Sequence, residues 1–366
     1  MWRNALDNFR KFDWILLVAV FLLFCLGLAA IYSVGLSQGD DAVDNFKKQV
    51  IFSVIGFCCL FAVGVSNYSG LRVYSRTFYA LSLFVLVLVL FLGSSIRGTT
   101  GWFLIGGLGI QPAELAKIVL IILLAKFFSN RLQQFRAAKH IIVSLGITLS
   151  FVILILLQPD FGSALIFLGV WFILLLITGI PKKYLIILAV VFVIVSLIAW
   201  NFLFLDYQRE RIKVFLQPTA DPLGSGYNVT QSIIAIGSGN WWGRGLGFGS
   251  QSQLRFVPES QTDFLFAVIA EELGLFGVSL TLFLWIIIFY RLIAIAKSAS
   301  DDFGLFLVLG IASLFFLHLF INIGMNMGIM PVTGISLPFL SYGGSFLIIC
   351  LILVGIAESV AVRRQG

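Results

Sequence analysis

The sequence predicts an all-α, polytopic integral membrane protein with about ten transmembrane helices. Of its 366 residues, 60% are hydrophobic and 11% are charged, and the mean hydropathy is +1.05. That composition leaves too little polar surface to cover a soluble globule of this length. We expect a single membrane domain over residues 1–366, interrupted by a large extracellular loop, 206–262, between helices 7 and 8.

Ten apolar stretches approach the roughly 20 residues that a helix needs to cross a bilayer. The second and fourth are the shortest. They are Trp14–Val34, Gln49–Ser66, Tyr74–Gly93, Pro112–Phe128, Ile141–Leu157, Phe161–Gly179, Tyr184–Leu205, Phe264–Tyr290, Phe303–Gly328 and Ile335–Val362.

The N-terminal basic residues resemble the start of a signal peptide, but Ile15–Ile31 is long for a signal-peptide core, which predicts a retained helix. All four cysteines lie in apolar stretches, so they are expected to be packing residues with no disulfide, metal or redox role. With the N-terminus inside, 15 of the 24 Lys and Arg residues fall on one side, so both termini are predicted to be cytoplasmic.

The loop of 206–262 is rich in glycine but also carries interleaved apolar side chains. Val229–Ile236 is predicted to form a short interfacial helix, with Trp241 and Trp242 at headgroup depth. The Gly-x-Gly-x-Gly pattern here lacks the preceding strand of a nucleotide-binding fingerprint. We expect no nucleic-acid partner.

The junction where the loop meets the eighth apolar stretch is the predicted centre of the chemistry. Asp263 stands there in a run of polar residues, and a carboxylate at the mouth of a transmembrane helix is costly to desolvate. The structural alternative is an N-cap for the helix that follows. Asp263 is therefore the candidate catalytic residue.

Three further charged residues stand at the starts of apolar stretches. Glu114 and Lys117 are spaced i,i+3, and their structural alternative is a salt bridge that only neutralises itself. Asp160 precedes the sixth stretch, where its alternative is an N-cap. Glu271 and Glu272 lie two turns into the eighth stretch, and a structural role is favoured for both. The run 331–345 breaks the helical pattern at membrane depth, which indicates that protein or a wet cavity surrounds it.

Five segments together resemble the SEDS family (shape, elongation, division and sporulation), which includes RodA, FtsW and SpoVE. They follow the order of that family over nearly the whole chain, and the resemblance is greatest to its RodA branch. The segments are Ile110–Lys117, Gln158–Ala164, Phe215–Gly239, Pro258–Gly274 and Pro331–Ser345.

The resemblance implies a peptidoglycan glycosyltransferase that polymerises lipid II at the outer face of the bacterial cytoplasmic membrane during cell elongation. It implies an inverting displacement and a class B penicillin-binding protein as partner. Asp263 corresponds to the essential aspartate of the family, and Glu114, Lys117 and Asp160 correspond to its polar cavity. Three positions depart from the family pattern: Gln261, Gly101 and Phe346.

Glycosyl transfer from a lipid diphosphate needs a base for the acceptor hydroxyl and cations for the departing diphosphate. Asp263 is the predicted base. Lys117, Arg209, Arg211 and Arg255 are candidate diphosphate contacts. The oxygens of Glu114, Asp160 and Asp263 leave open a divalent cation, Mg²⁺ or Mn²⁺. Three alternatives stay open: a lipid II flippase, an FtsW-like division polymerase and a non-catalytic scaffold.

Overall fold

The computed structural model describes residues 9–38, 40–96, 98–105, 108–130, 137–203, 209, 213–216 and 225–364. Helices dominate this part of the chain. They are α1 (Trp14–Gln38), α2 (Asp40–Val65), α3 (Ser69–Leu92), α4 (Pro112–Ser129), α5 (Ala137–Leu156), α6 (Phe161–Ile177), α7 (Lys182–Ile198, continued by a π turn at Ala199–Leu203), α8 (Ser225–Ser238), α9 (Ser250–Gln253), α10 (Leu265–Lys297), α11 (Asp302–Asn326) and α12 (Gly344–Val362).

Each of the ten predicted spans coincides with one of these helices, and the all-α membrane fold is confirmed. Within the described residues, α1, α2, α3, α5, α7, α10, α11 and α12 are long and apolar enough to cross a membrane. α6 is apolar but shorter, with 17 residues, and α4 has 18 residues that include three charged ones. At about 1.5 Å per residue, both fall slightly short of a hydrocarbon core of about 30 Å.

Two features of the fold differ from the sequence prediction. The last helix begins at Gly344, nine residues after the predicted start, because the chain at 331–343 makes non-helical turns in which Gly334 and Phe339 have φ of 74° and 65°. The second difference is an antiparallel sheet between α3 and α4. Its strands are β1 (Ser94–Ile96), β2 (Thr99–Ile105) and β3 (Leu108–Ile110), in the order β1-β2-β3.

The helices pack around one continuous apolar core. α12 packs most extensively on α2, α4 lies between α3 and α11, and α10 contacts both α1 and α11. The rings of Trp285, Phe315 and Phe339 pack against one another in edge-to-face and tilted arrangements, with centroids 5.2 to 6.0 Å apart. α7 contacts this core only through the partly buried Tyr184, Leu185 and Leu188, and none of its residues, all of which the structure describes, is fully buried.

α10 is broken in its first third at Gly274, which has φ 63° and ψ −160°. The helical hydrogen bonds lost at the break are replaced by the loop that follows α8. Arg244 N donates to Glu271 O at 3.0 Å and Gly245 N to Glu272 O at 2.9 Å, while Leu275 N donates to Asn240 O at 2.9 Å. The segment between α8 and α9, residues 239–249, is thus joined to α10 around the break through the main chain.

Candidate active site

A cavity of about 820 Å³ opens beside the start of α10. Its walls come from the sheet, the first turns of α4 and α6, and the non-helical segment that precedes α12. Asp263, Glu114, Lys117 and Asp160 all line it. The structure therefore brings four of the seven predicted site residues to one space.

Asp263 lines the cavity, and its side chain is half-buried. It does not occupy the N-cap position, because α10 begins at Leu265 and Phe264 is its N-cap residue. The main chain before it is held by the segment preceding α12. Tyr342 N donates to Gln261 O at 2.8 Å, and Ser341 Oγ donates to Thr262 O at 2.6 Å.

The predicted pair on α4 is present and buried. Lys117 Nζ lies 2.8 Å from Glu114 Oε1, while Glu114 Oε2 is buried and has no hydrogen-bond partner among the described residues. The two charges neutralise each other, as in the structural alternative, but the contact uses only one of the two carboxylate oxygens. The Glu114 carboxylate thus keeps an acceptor in the wall of the cavity.

His318 on α11 completes this group, and it is not among the predicted site residues. Its Nε2 lies 3.3 Å from Lys117 Nζ, and its Nδ1 lies 3.1 Å from Ser336 O. An ammonium group only donates and a carbonyl only accepts, so Nε2 accepts and Nδ1 carries the proton. A histidine within an apolar helix is the signal that could have found it.

Asp160 caps α6 and also faces the cavity. Its Oδ1 accepts from Ser163 N at 2.9 Å, and its Oδ2 accepts from Ser163 Oγ at 2.7 Å and from Gln111 Nε2 at 3.0 Å. The N-cap alternative is therefore correct as a structural role. Because the same carboxylate lines the cavity, the cap does not exclude contact with a substrate.

Two of the three predicted arginines, Arg209 and Arg255, do not line the cavity among the described residues. Arg209 donates from Nη2 to Asn201 O at 3.3 Å, and Arg255 is exposed with φ 62°. Neither lines the cavity. Arg211 lies outside the described residues. Lys48 on α2 lines the cavity, although it is not among the predicted diphosphate contacts.

The two glutamates deeper in α10, Glu271 and Glu272, hold α9 in place. Glu271 accepts from Gln251 N at 2.7 Å and Ser252 N at 2.9 Å, and so caps α9. Glu272 accepts from Ser33 Oγ at 2.7 Å and from Gln253 Nε2 at 3.0 Å. Both carboxylates are fully buried, and neither is bonded to Lys117. Their contacts are structural.

The carboxylates do not make a ready metal site. In the part of the chain that the structure describes, no group of three or more His, Cys, Asp or Glu side chains is arranged to hold a metal ion. Asp160 already accepts from three donors, and one Glu114 oxygen is bonded to Lys117. The residues present do not fit a divalent cation held by Glu114, Asp160 and Asp263 together.

The three departures from the family pattern fall in different places. A β-carbon at Gly101 would lie 2.8 Å from Gln158 Oε1. Gln261 is buried, where its Oε1 accepts from Asn45 Nδ2 at 2.8 Å, and it does not line the cavity. Phe346 does line it and stacks on His318, with centroids 4.9 Å apart. Only the last of these departures changes the cavity wall directly beside Lys117.

The fold and the cavity define a multi-pass membrane protein with a charged cavity at the start of a broken helix. A family model described as "Cell cycle protein", covering FtsW, RodA and SpoVE, matches residues 13–366. The chain belongs to this family, and the resemblance stated from the sequence is confirmed.

Relatives span almost the whole chain. Stage V sporulation protein E of Bacillus subtilis is 36% identical over 358 residues, covering 95% of this chain and 96% of that protein. The peptidoglycan glycosyltransferase MrdB of Escherichia coli is 40% identical over 288 residues, covering 78% of this chain and 77% of its own.

Solved structures share the fold. A chain from a study of the structural coordination of polymerization and crosslinking by a peptidoglycan synthase complex has a TM-score of 0.82 at 32% identity, covering 97% of this chain and 99% of that chain. The crystal structure of the rod shape determining protein RodA of Thermus thermophilus has a TM-score of 0.71 at 29% identity, covering 97% of this chain and 98% of that one.

Proposed function

We propose that this protein is a peptidoglycan glycosyltransferase that polymerises lipid II at the outer face of the bacterial cytoplasmic membrane during cell elongation. The names of MrdB and of the structural neighbour RodA support the activity and the elongation role. The observation that carries the proposal is the cavity in which Asp263 and Lys117 face the same space.

In the proposed reaction, Asp263 takes the proton from the acceptor sugar hydroxyl as its oxygen attacks the anomeric carbon of the donor. The bond from that carbon to the diphosphate oxygen breaks with inversion, and the lipid diphosphate leaves with the electron pair. Lys117 and Lys48 are the described cations that line the cavity, and they would hold the departing charge. Glu114 would hold the Lys117 side chain in place through their 2.8 Å contact.

The predicted diphosphate contacts also include Arg209, Arg211 and Arg255. Of these, Arg209 and Arg255 would have to approach the cavity when substrate binds.

Both termini are proposed to be cytoplasmic, with the loop before α10 outside. A class B penicillin-binding protein is the proposed partner. The structural neighbour from a peptidoglycan synthase complex supports a partnership with a crosslinking enzyme.

Polymerisation of purified lipid II by the purified protein tests the proposal. Asp263→Asn keeps the side-chain shape and removes the base, so the rate should fall by about two to four orders of magnitude. The matched control is Asp302→Asn, the same change at an exposed aspartate in the first turn of α11, which should keep the wild-type rate.

The same purified protein also distinguishes a polymerase from a flippase and from a non-catalytic scaffold. A flippase would move lipid II across a vesicle membrane without making polymer, and a scaffold would do neither. Wild-type glycan synthesis by Asp263→Asn would refute the proposed role of Asp263.

A further inference from the structure

Two buried asparagines on α11 hold the main chain of Asp263. Asn322 Nδ2 donates to Asp263 O at 3.0 Å and to Ile335 O at 2.7 Å. Asn326 Nδ2 donates to the same Asp263 O at 3.0 Å and to Asn322 O at 2.8 Å. Both asparagines are fully buried. One carbonyl of the predicted base thus accepts from two side chains of another helix.

The orientation of both amides is fixed by their partners. Main-chain carbonyls only accept hydrogen bonds, so the amide nitrogen of each asparagine must face them. The contacts engage both N–H groups of each amide. A buried amide group that loses such a partner is left unsatisfied, which makes another arrangement of this pair unfavourable.

The same pair joins two walls of the cavity. Asn326 Oδ1 accepts from Ala267 N at 3.3 Å, in the first turn of α10. Asn322 holds Ile335, next to Gly334, where a β-carbon would lie 3.6 Å from Asp263 Oδ2. Side chains four residues apart lie on one face of a helix, so one face of α11 contacts both walls.

We propose that Asn322 and Asn326 are positioning residues, which set where the Asp263 carboxylate stands in the cavity without touching the reacting atoms. Their amides fix the Asp263 carbonyl, and Ser341 fixes the carbonyl before it. With the main chain fixed, the position of the Asp263 carboxylate changes only through rotation about its own side-chain bonds. This inference rests on the proposed function, in which Asp263 is the base.

The test uses Asn322→Ser and Asn326→Ser in the full-length protein with lipid II as substrate. Each change removes the amide donors and leaves a small polar side chain. A misplacement of about 1 Å can lower a rate by about a hundredfold, so kcat should fall by about tenfold to a hundredfold with KM within about threefold. The acidic limb of the pH–rate profile should also move, because the carboxylate changes its surroundings.

The matched control is Ser313→Ala on the same helix. Ser313 is buried and bonds Leu309 O within α11, and it does not line the cavity, so kcat should be unchanged. The rate is expressed per molecule that binds fluorescent lipid II. The shape of the pH profile does not depend on the amount of folded protein, so poor folding of a variant does not obscure the result.

An unchanged kcat in both serine variants would overturn the inference. So would a loss of rate that follows the loss of folded protein, with the wild-type pH profile, because that marks a purely structural role. If Asp263→Asn is inactive while both serine variants are normal, only the inference fails. If Asp263→Asn is fully active, the proposed function itself fails.

Discussion

The ammonium nitrogen of Lys117 lies 2.8 Å from Glu114 Oε1, and the two side chains are 3% and 10% exposed. Water reaches neither charged group well, so each charge is stabilised mainly by its partner. An activity measurement on one single variant would therefore mix lost substrate contact with lost stability.

Lys117→Met is expected to abolish most polymerisation and to destabilise the protein by about 3 to 5 kcal/mol, because Glu114 is left buried without its cation. The double variant Lys117→Met/Glu114→Gln should recover thermal stability and stay inactive. Thermal unfolding in detergent and lipid II polymerisation are measured on both. Recovery of activity by the double variant would mean that Lys117 serves only Glu114.

Asp160 allows its two roles to be separated. Asn caps helices about as well as Asp, so Asp160→Asn should keep the cap of α6 and change stability by less than about 0.5 kcal/mol. If the charge contacts the substrate, polymerisation falls although stability does not. Asp160→Ala is the control, which loses the cap as well at a cost of about 1 kcal/mol. Wild-type activity of Asp160→Asn would leave Asp160 with the cap alone.

Gly274→Ala tests the break in α10. Its φ of 63° with ψ of −160° is accessible almost only to glycine, and a β-carbon there would overlap Gly243 N. We expect a loss of about 1 to 3 kcal/mol from the backbone alone and a loss of activity. Gly146→Ala is the matched control, because a β-carbon there meets nothing within 4 Å and α5 should gain about 0.5 to 1 kcal/mol. Equal stability of the two variants would contradict the assignment of the break to Gly274.

Topology is tested by cysteine labelling after Cys25, Cys58, Cys59 and Cys350 are replaced by alanine. Arg244→Cys, between α8 and α9, and Lys297→Cys, at the end of α10, both place the thiol at an exposed position. A membrane-impermeant thiol reagent should label the first in cells whose outer membrane is permeabilised, and the second only after lysis. The reverse pattern would place Asp263 on the cytoplasmic side, away from flipped lipid II.

Hydropathy predicted the helices well because a lipid-exposed backbone must satisfy its hydrogen bonds within the helix. The polar junctions at Asp263 and Glu114 were also found, since a charge near the membrane core is costly without a partner. The sheet was missed, although Gly106-Gly107 between two runs of β-forming residues is a hairpin signal.

Other parts of the site depend on tertiary contacts that no local pattern encodes. The candidate arginines were chosen by charge and position in the chain, which do not give the direction of a loop side chain. Asn322 and Asn326 lie in an apolar helix, where their spacing of four residues was the available signal. Their partners come from two other segments and could not be predicted from α11 alone.

The exchange of hydrogen bonds at Gly274 has a mechanical consequence. The main chain of Asn240–Gly245 cannot leave α10 without exposing the carbonyls of Glu271 and Glu272, which have no helical donors to return to while the break persists. The segment of residues 240–245 and the first part of α10 are therefore tied together through the main chain. A load applied to that segment would be transmitted through the first turns of α10 to Asp263 as a displacement.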